Sequence, residues 1–84
     1  MGVFELSIIE FSKTIYSGEV VMIVAPSLDG EIGILSKHTS IVAKLIPGSI
    51  RIFPKDREHC ETEVRIENGF LVMKDNLCQI YYFN

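Results

Sequence analysis

The sequence is poor in positive charge, in closely spaced cysteines and in long apolar runs, and each lack removes a class of function. Its eight Lys and Arg are scattered and outnumbered by eleven Asp and Glu, which leaves a formal net charge of −3. Contact with nucleic-acid phosphates needs a basic face, so no nucleic-acid partner is expected. No uninterrupted apolar stretch approaches the roughly 18 residues of a membrane span, and "MGVFELSIIEF" lacks the basic start of a secretory signal. A myristoylation signal would want Ser or Thr at position 6, where the chain has Leu6. Cys60 and Cys78 are far apart in sequence, which suits two reduced thiols better than a disulfide framework.

Catalytic chemistry is equally thin. No serine or cysteine stands in a nucleophile-elbow context, and neither His38 nor His59 has an adjacent nucleophile, so no enzyme activity and no cofactor are expected. A zinc site from Cys60, Cys78, His38 and His59 would use suitable atoms. Structural zinc, however, draws on ligand pairs two to four residues apart, and adjacent His59 and Cys60 would point to opposite faces of a strand.

What the chain does have is apolar surface. Hydrophobic residues make up 48% of 84 positions, with a mean hydropathy of +0.28. So short a chain forms one domain, residues 1–84, and buries only about 60 to 65% of its unfolded surface. The surplus predicts a permanent partner.

Periodicity predicts strands almost throughout. In "FELSI", Phe4, Leu6 and Ile8 share one face, and in "TEVRIE", Thr62, Val64 and Ile66 alternate with Glu63, Arg65 and Glu67. "VVMIVA", "FLVMK" and "LCQIYYF" are apolar on both faces, as strands covered by a partner would be. "SIVAKLI" is too short to decide by period, and its β-branched residues favour strand. Turn signals recur at the spacing of a sandwich: Ser17-Gly18, Asp29-Gly30, Pro47-Gly48, "KDREHCE", Asn68-Gly69 and Asp75-Asn76. Pro47-Gly48 suits a type II turn, and Asp29-Gly30 and Asn68-Gly69 suit type I′ hairpins. Gly33, between Ile32 and Ile34, marks a close approach of backbone or a bulge. The expectation is an all-β sandwich of antiparallel strands.

"LVMKDN", residues 71 to 76, is similar to the lysine turn of biotinyl and lipoyl carrier domains. The biotinyl pattern puts Met on both sides of the lysine, but Asp75 follows Lys74; the lipoyl pattern of Asp before and Ala after is absent too. A solvated lysine ahead of an Asp-Asn turn fits better, and a carrier modified at Lys74 stands as the alternative function.

The order of the motifs is more specific. "SGEVVMIVAPSLDGEIGILSKHTSIVAKLIPGSIRI", residues 17 to 52, resembles the N-terminal domain of the epsilon subunit of F-type ATP synthases, called delta in mitochondria. Ser17-Gly18, Gly30-Glu31, Gly33-Ile34, His38 and Pro47-Gly48 fall in the family's register, and "VRIENGFLVMKDNLCQIY" is similar to its later hairpin and closing strand. Ser36 stands where the family has Pro, Asn68 replaces the first glycine of Gly-Gly-Phe, and "IEFSK" lacks the usual Pro of the first turn.

The resemblance implies a ten-stranded sandwich in the central stalk, a non-catalytic coupling subunit between proton flow and ATP synthesis. It implies two partners, the gamma subunit and the ring of c subunits, and membrane association only through the complex. The location implied is the cytoplasmic face of a bacterial inner membrane, or the matrix or stromal face in organelles. Asp29, Gly30 and Glu31 match the loop that meets the c ring, whose polar loop commonly carries an arginine. Glu10, His38 and Ala43 match gamma-facing positions, with Ile41 on the same strand parity as Ala43. Gly18, Gly33, Pro47, Gly48 and Gly69 match structural turns. The family's C-terminal helical hairpin, which regulates ATP hydrolysis, is expected to be absent from a chain that stops at Asn84.

Overall fold

The computed structural model describes residues 2–37 and 40–84, and among them it contains strands and no helix. Nine strands follow in order: β1 Phe4–Glu10, β2 Lys13–Val20, β3 Met22–Ser27, β4 Gly30–Leu35, β5 Ile41–Leu45, β6 Gly48–Phe53, β7 Thr62–Ile66, β8 Asn68–Lys74 and β9 Leu77–Phe83. The all-β sandwich expected from the periodicity is therefore present, with nine strands among the described residues where the resemblance implies ten.

Five strands pair in the order β2-β1-β9-β8-β5, and four in the order β4-β3-β6-β7. The two groups meet at one corner, where Ser27 pairs with Leu45. There Leu28 N–H donates to the Lys44 carbonyl at 2.9 Å and Ile46 N–H to the Pro26 carbonyl at 3.0 Å. The layers close over one core that takes alternate residues from each strand, among them Phe4, Leu6 and Ile8 of β1, Ile50 and Ile52 of β6, and Leu71 and Met73 of β8. Alternation fixes this assignment, because a one-residue slip would turn every one of these side chains to water.

One pairing departs from the antiparallel expectation: β1 runs parallel to β9, with Leu6 opposite Cys78 and Ile8 opposite Ile80. Period-two patterning says which residues face inward, not which way a neighbouring strand runs. A bulge between Ile8 and Ile9 leaves Ile15 without a partner in β1, and bulges of this kind add local twist.

Several expected turns lie elsewhere. Ser17-Gly18 is inside β2, where Gly18 opposes Leu6. Asn68-Gly69 begins β8, and the chain passes between the layers at Glu67, since β7 pairs with β6 and β8 with β5 and β9. Gly69 is needed for a different reason: an added Cβ would lie 2.5 Å from the Tyr81 carbonyl oxygen and 3.0 Å from the Tyr82 Cβ. Gly48 likewise opens β6 without a positive φ, so Pro47-Gly48 is no type II turn. Its missing Cβ makes room for the Pro26 ring, 2.9 Å away. Gly33 sits in regular register opposite Val24 with nothing within 4 Å of where a Cβ would be, so neither a bulge nor an internal close approach accounts for it.

Candidate functional site

Two tight hairpins lie at opposite ends of the sandwich, and they differ in how they are held. The β8–β9 turn is Asp75-Asn76, at φ 52° and 61°, the left-handed pair that a two-residue type I′ connection between Lys74 and Leu77 requires. Asn76 ties this end together. Its side chain accepts from Lys37 N–H at 2.8 Å and donates to the Val3 carbonyl at 2.8 Å, and its carbonyl accepts from Glu5 N–H at 3.1 Å.

The β3–β4 hairpin projects from the other end. Ser27 pairs with Gly30, so Leu28 and Asp29 form the apex. Neither has a positive φ, and only Gly30 does, at 109°. The expected Asp-Gly type I′ pair is thus replaced by a turn one residue earlier, with glycine absorbing the reversal. Buried Ser27 supports it: its Oγ donates to the Gly30 carbonyl at 2.5 Å and accepts from Asp29 N–H at 3.3 Å.

The tip carries less free acid than its sequence suggests. Glu31 meets Arg51 Nη2 of β6 at 3.5 Å, with both side chains substantially exposed, which leaves Asp29 as the acidic group at the apex. The sequence reading missed the apolar component: Leu28 is 68% exposed, and Ile46, Phe83 and Phe11 are exposed at the same end. Phe11 stands edge-on to Phe83, with ring centroids 5.8 Å apart. A leucine inside a turn doublet was the available signal, since turns ordinarily draw on Gly, Asn, Asp, Ser and Pro.

The gamma-facing candidates do not form one patch. Ile41 and Ala43 are half-buried on the inward side of β5, packed against the core; β5 has β8 on one side and on the other touches β3 only at Leu45. Glu10 lies at the end of β1, three strands from β5, roughly 14 Å at ordinary strand spacing. It sits beside Tyr82, whose hydroxyl pKa is raised by burial first and by the Glu10 carboxylate second. His38 lies outside the described residues.

The remaining reactive groups are dispersed. Cys78 is buried in β9, where desolvation pushes its thiol up to about 12, whereas Cys60 is exposed. His59 faces the Asp56 carboxylate, with Nδ1 at 2.9 Å. Asp56 accepts from Glu58 N–H and His59 N–H at 2.8 and 2.9 Å, and these contacts hold its carboxyl below the usual range. No three His, Cys, Asp or Glu side chains gather into a metal site among the described residues. Lys74 ends β8 and precedes the turn rather than capping it.

Comparison with known proteins agrees with the architecture. Residues 3–82 match the profile described as ATP synthase, Delta/Epsilon chain, beta-sandwich domain. The ATP synthase epsilon chain of Dichelobacter nodosus is 41% identical over 81% of this chain and 46% of its own length. That of Nitrosospira multiformis is 36% identical over 95% and 56%, and that of Chlorobium limicola 36% identical over 87% and 81%. The chain thus spans about half the length of the first two. Two solved structures share the fold: a chain in the central stalk and c-ring of the Tetrahymena thermophila mitochondrial ATP synthase, at a TM-score of 0.75, 20% identity and coverage of 95% of this chain and 63% of that one, and one in the Euglena gracilis mitochondrial ATP synthase, at 0.80, 21%, 95% and 50%.

Proposed function

Because the chain belongs to the delta/epsilon β-sandwich family of ATP synthase, we propose that it serves as a central-stalk subunit of an F-type ATP synthase, meeting the c ring with the β3–β4 tip and the gamma subunit with the open side of β5. In this role it catalyses nothing. It passes torque from proton flow to the catalytic head, peripheral to the membrane on the cytoplasmic, matrix or stromal side. A stem that transmits torque must be stiff and must hold its partners on separate surfaces, and the sandwich offers a closed core with a projecting hairpin at one end.

The observation that carries the reading is the make-up of that hairpin. Leu28 exposes apolar surface beside Asp29 at the apex, and Ser27 fixes the turn from beneath. An apolar knob desolvates against a partner at about 25 cal/mol per Å², while one acid selects a basic loop and orients the contact. The Glu31–Arg51 pair is already compensated within the chain and adds about 0 to 1 kcal/mol at most. For gamma, half-buried Ile41 and Ala43 offer apolar surface at a strand edge; the family pattern adds His38 and Glu10, the latter on a separate part of the surface three strands away. A carrier modified at Lys74 is the reading given up, since the family match spans residues 3–82.

The test is reconstitution. A one-to-one complex with the cognate gamma subunit is expected in gel filtration at micromolar concentration, and two separate peaks overturn the gamma assignment. Leu28→Asp and Asp29→Lys are each expected to weaken capture by purified c ring about tenfold, or ~1.4 kcal/mol, with gamma binding unchanged. Equal loss of both contacts overturns the division of faces.

A further inference from the structure

The outer face of the five-stranded layer leaves a group of apolar side chains uncovered. Strand alternation turns Val42 and Lys44 of β5, Phe70, Val72 and Lys74 of β8, and Leu77, Gln79, Tyr81 and Phe83 of β9 outward, and Glu5, Ser7 and Ile9 of β1 share that side. Val42 is 78% exposed, and Phe70 and Leu77 are exposed with it. Phe70 and Tyr81 stack in the centre, with ring centroids 5.4 Å apart.

The charges on this face are unpaired within the chain and unevenly placed. Glu5 lies directly opposite Glu19 of β2, and like charges so placed repel. Neither acid, nor Lys44, nor Lys74 makes an ion pair among the described residues. The register then shows a symmetry. β9 is the middle strand of the five. Leu77 pairs with Glu5 on one side and Lys74 on the other, Gln79 with Ser7 and Val72, and Tyr81 with Ile9 and Phe70. A two-fold axis lying along β9, just above the face, exchanges β1 with β8. It sets Glu5 of one copy over Lys74 of the next, Ile9 over Phe70, and Tyr81 against itself.

We propose that this face is a self-complementary surface through which two copies of the chain associate, stacked face to face about β9 with reciprocal Glu5–Lys74 pairs at one end and the Phe70–Tyr81 cluster at the centre. An isologous contact demands that each residue and its image be complementary, and the β1–β8 exchange meets that demand in charge at Glu5–Lys74 and in apolarity at Ile9–Phe70, with Ser7 over Val72 between them. Aligned stacking of two sheets is a standard packing. Five strands about 4.8 Å apart and four rows of outward residues give a face roughly 24 Å square. That buries on the order of 1,000 Å² in total, the lower limit for specific association. The dimer is therefore weak and forms at high protein concentration. It uses neither Leu28 and Asp29 of the β3–β4 apex nor Ile41 and Ala43 on the inward side of β5, with Phe83 bordering both surfaces, so its test does not turn on the assignment to the central stalk.

Sedimentation equilibrium of the full chain from about 10 μM to about 1 mM, the range suited to so small an interface, reads this directly. The apparent mass is expected to rise from one chain to two. Glu5→Lys and Lys74→Glu are each expected to lower the association constant at least about tenfold, as two opposed like charges replace two attractive pairs. An equimolar mixture of the two variants is expected to restore the dimer, because every pair in the mixed species is attractive again. Both positions are exposed, and Glu5→Lys relieves the repulsion from Glu19, so thermal melting of the monomers serves as the folding control. A wild-type chain that stays monomeric throughout, or a dimer indifferent to both charge swaps, overturns the proposal.

Discussion

The hairpins at the two ends of the sandwich use the same device, a two-residue turn, to opposite effect. At β8–β9, Asn76 binds Lys37, Val3 and Glu5, so the turn fastens two segments distant from it in sequence. At β3–β4, support is local, from Ser27 two and three residues away, and Leu28 points at solvent. A turn whose polar groups are used up by its own protein has little left for a partner; one supported from beneath presents its apex whole. The comparison teaches that one turn spends its polar groups on long-range contacts within the chain while the other leaves its apex exposed.

Substitutions can sharpen that contrast, and the largest expected effect falls at neither turn but in β8, where Gly69 pairs with Leu45 at the end opposite the fastened hairpin. Gly69→Ala is expected to cost about 3 kcal/mol or more, read by denaturant unfolding, because the new methyl meets the Tyr81 carbonyl rather than a flexible side chain. Asn76→Ala comes next at about 2 kcal/mol, since it leaves Lys37 N–H and the Val3 carbonyl without their partner and puts alanine at a φ of 61°. A loss no larger than that of an ordinary surface substitution would remove the distinction between the two ends.

At the projecting hairpin the expected effects on stability shrink. Gly30→Ala is expected to cost about 1 to 2 kcal/mol, the steric penalty of a φ of 109°, with no loss from contact because nothing lies within 4 Å. Leu28→Asp and Asp29→Lys are expected to stay within about 0.5 kcal/mol in unfolding while weakening c-ring capture. Gly33→Ala is expected to be neutral or slightly stabilising in the isolated chain, by about 0.5 kcal/mol, since it trims backbone freedom in the unfolded state and fills open space. A large cost there would mean that β4 holds its glycine for an internal reason after all.

Much of this molecule is legible in its residues. Alternation in "FELSI" and "TEVRIE" gives the inward residues correctly, with Phe4, Leu6, Ile8 and Ile66 buried, because a strand's side chains alternate whatever its neighbours do. Asp75-Asn76 is a turn in sequence and in structure, since both residues tolerate the left-handed conformation it needs. Glycine is harder to read. Gly18, Gly33, Gly48 and Gly69 all fall within strands, and only the neighbours say why Gly69 and Gly48 lack a side chain. The candidate tip is legible in position but not in composition: Asp29-Gly30-Glu31 stands out as acidic, yet Arg51 takes Glu31, and Leu28 adds an exposed apolar side chain there.

The sequence by itself determined the class of fold, the inward residues of each strand and the family, because these follow from local periodicity and from the order of motifs along the chain. Only the tertiary structure decided that β1 lies parallel to β9, that Glu10 is three strands from Ile41 and Ala43, and that Glu5 and Lys74 flank the same residue of β9. Those are relations between residues far apart in the chain, set by which strands close the core together, and no local pattern encodes the choice of neighbour.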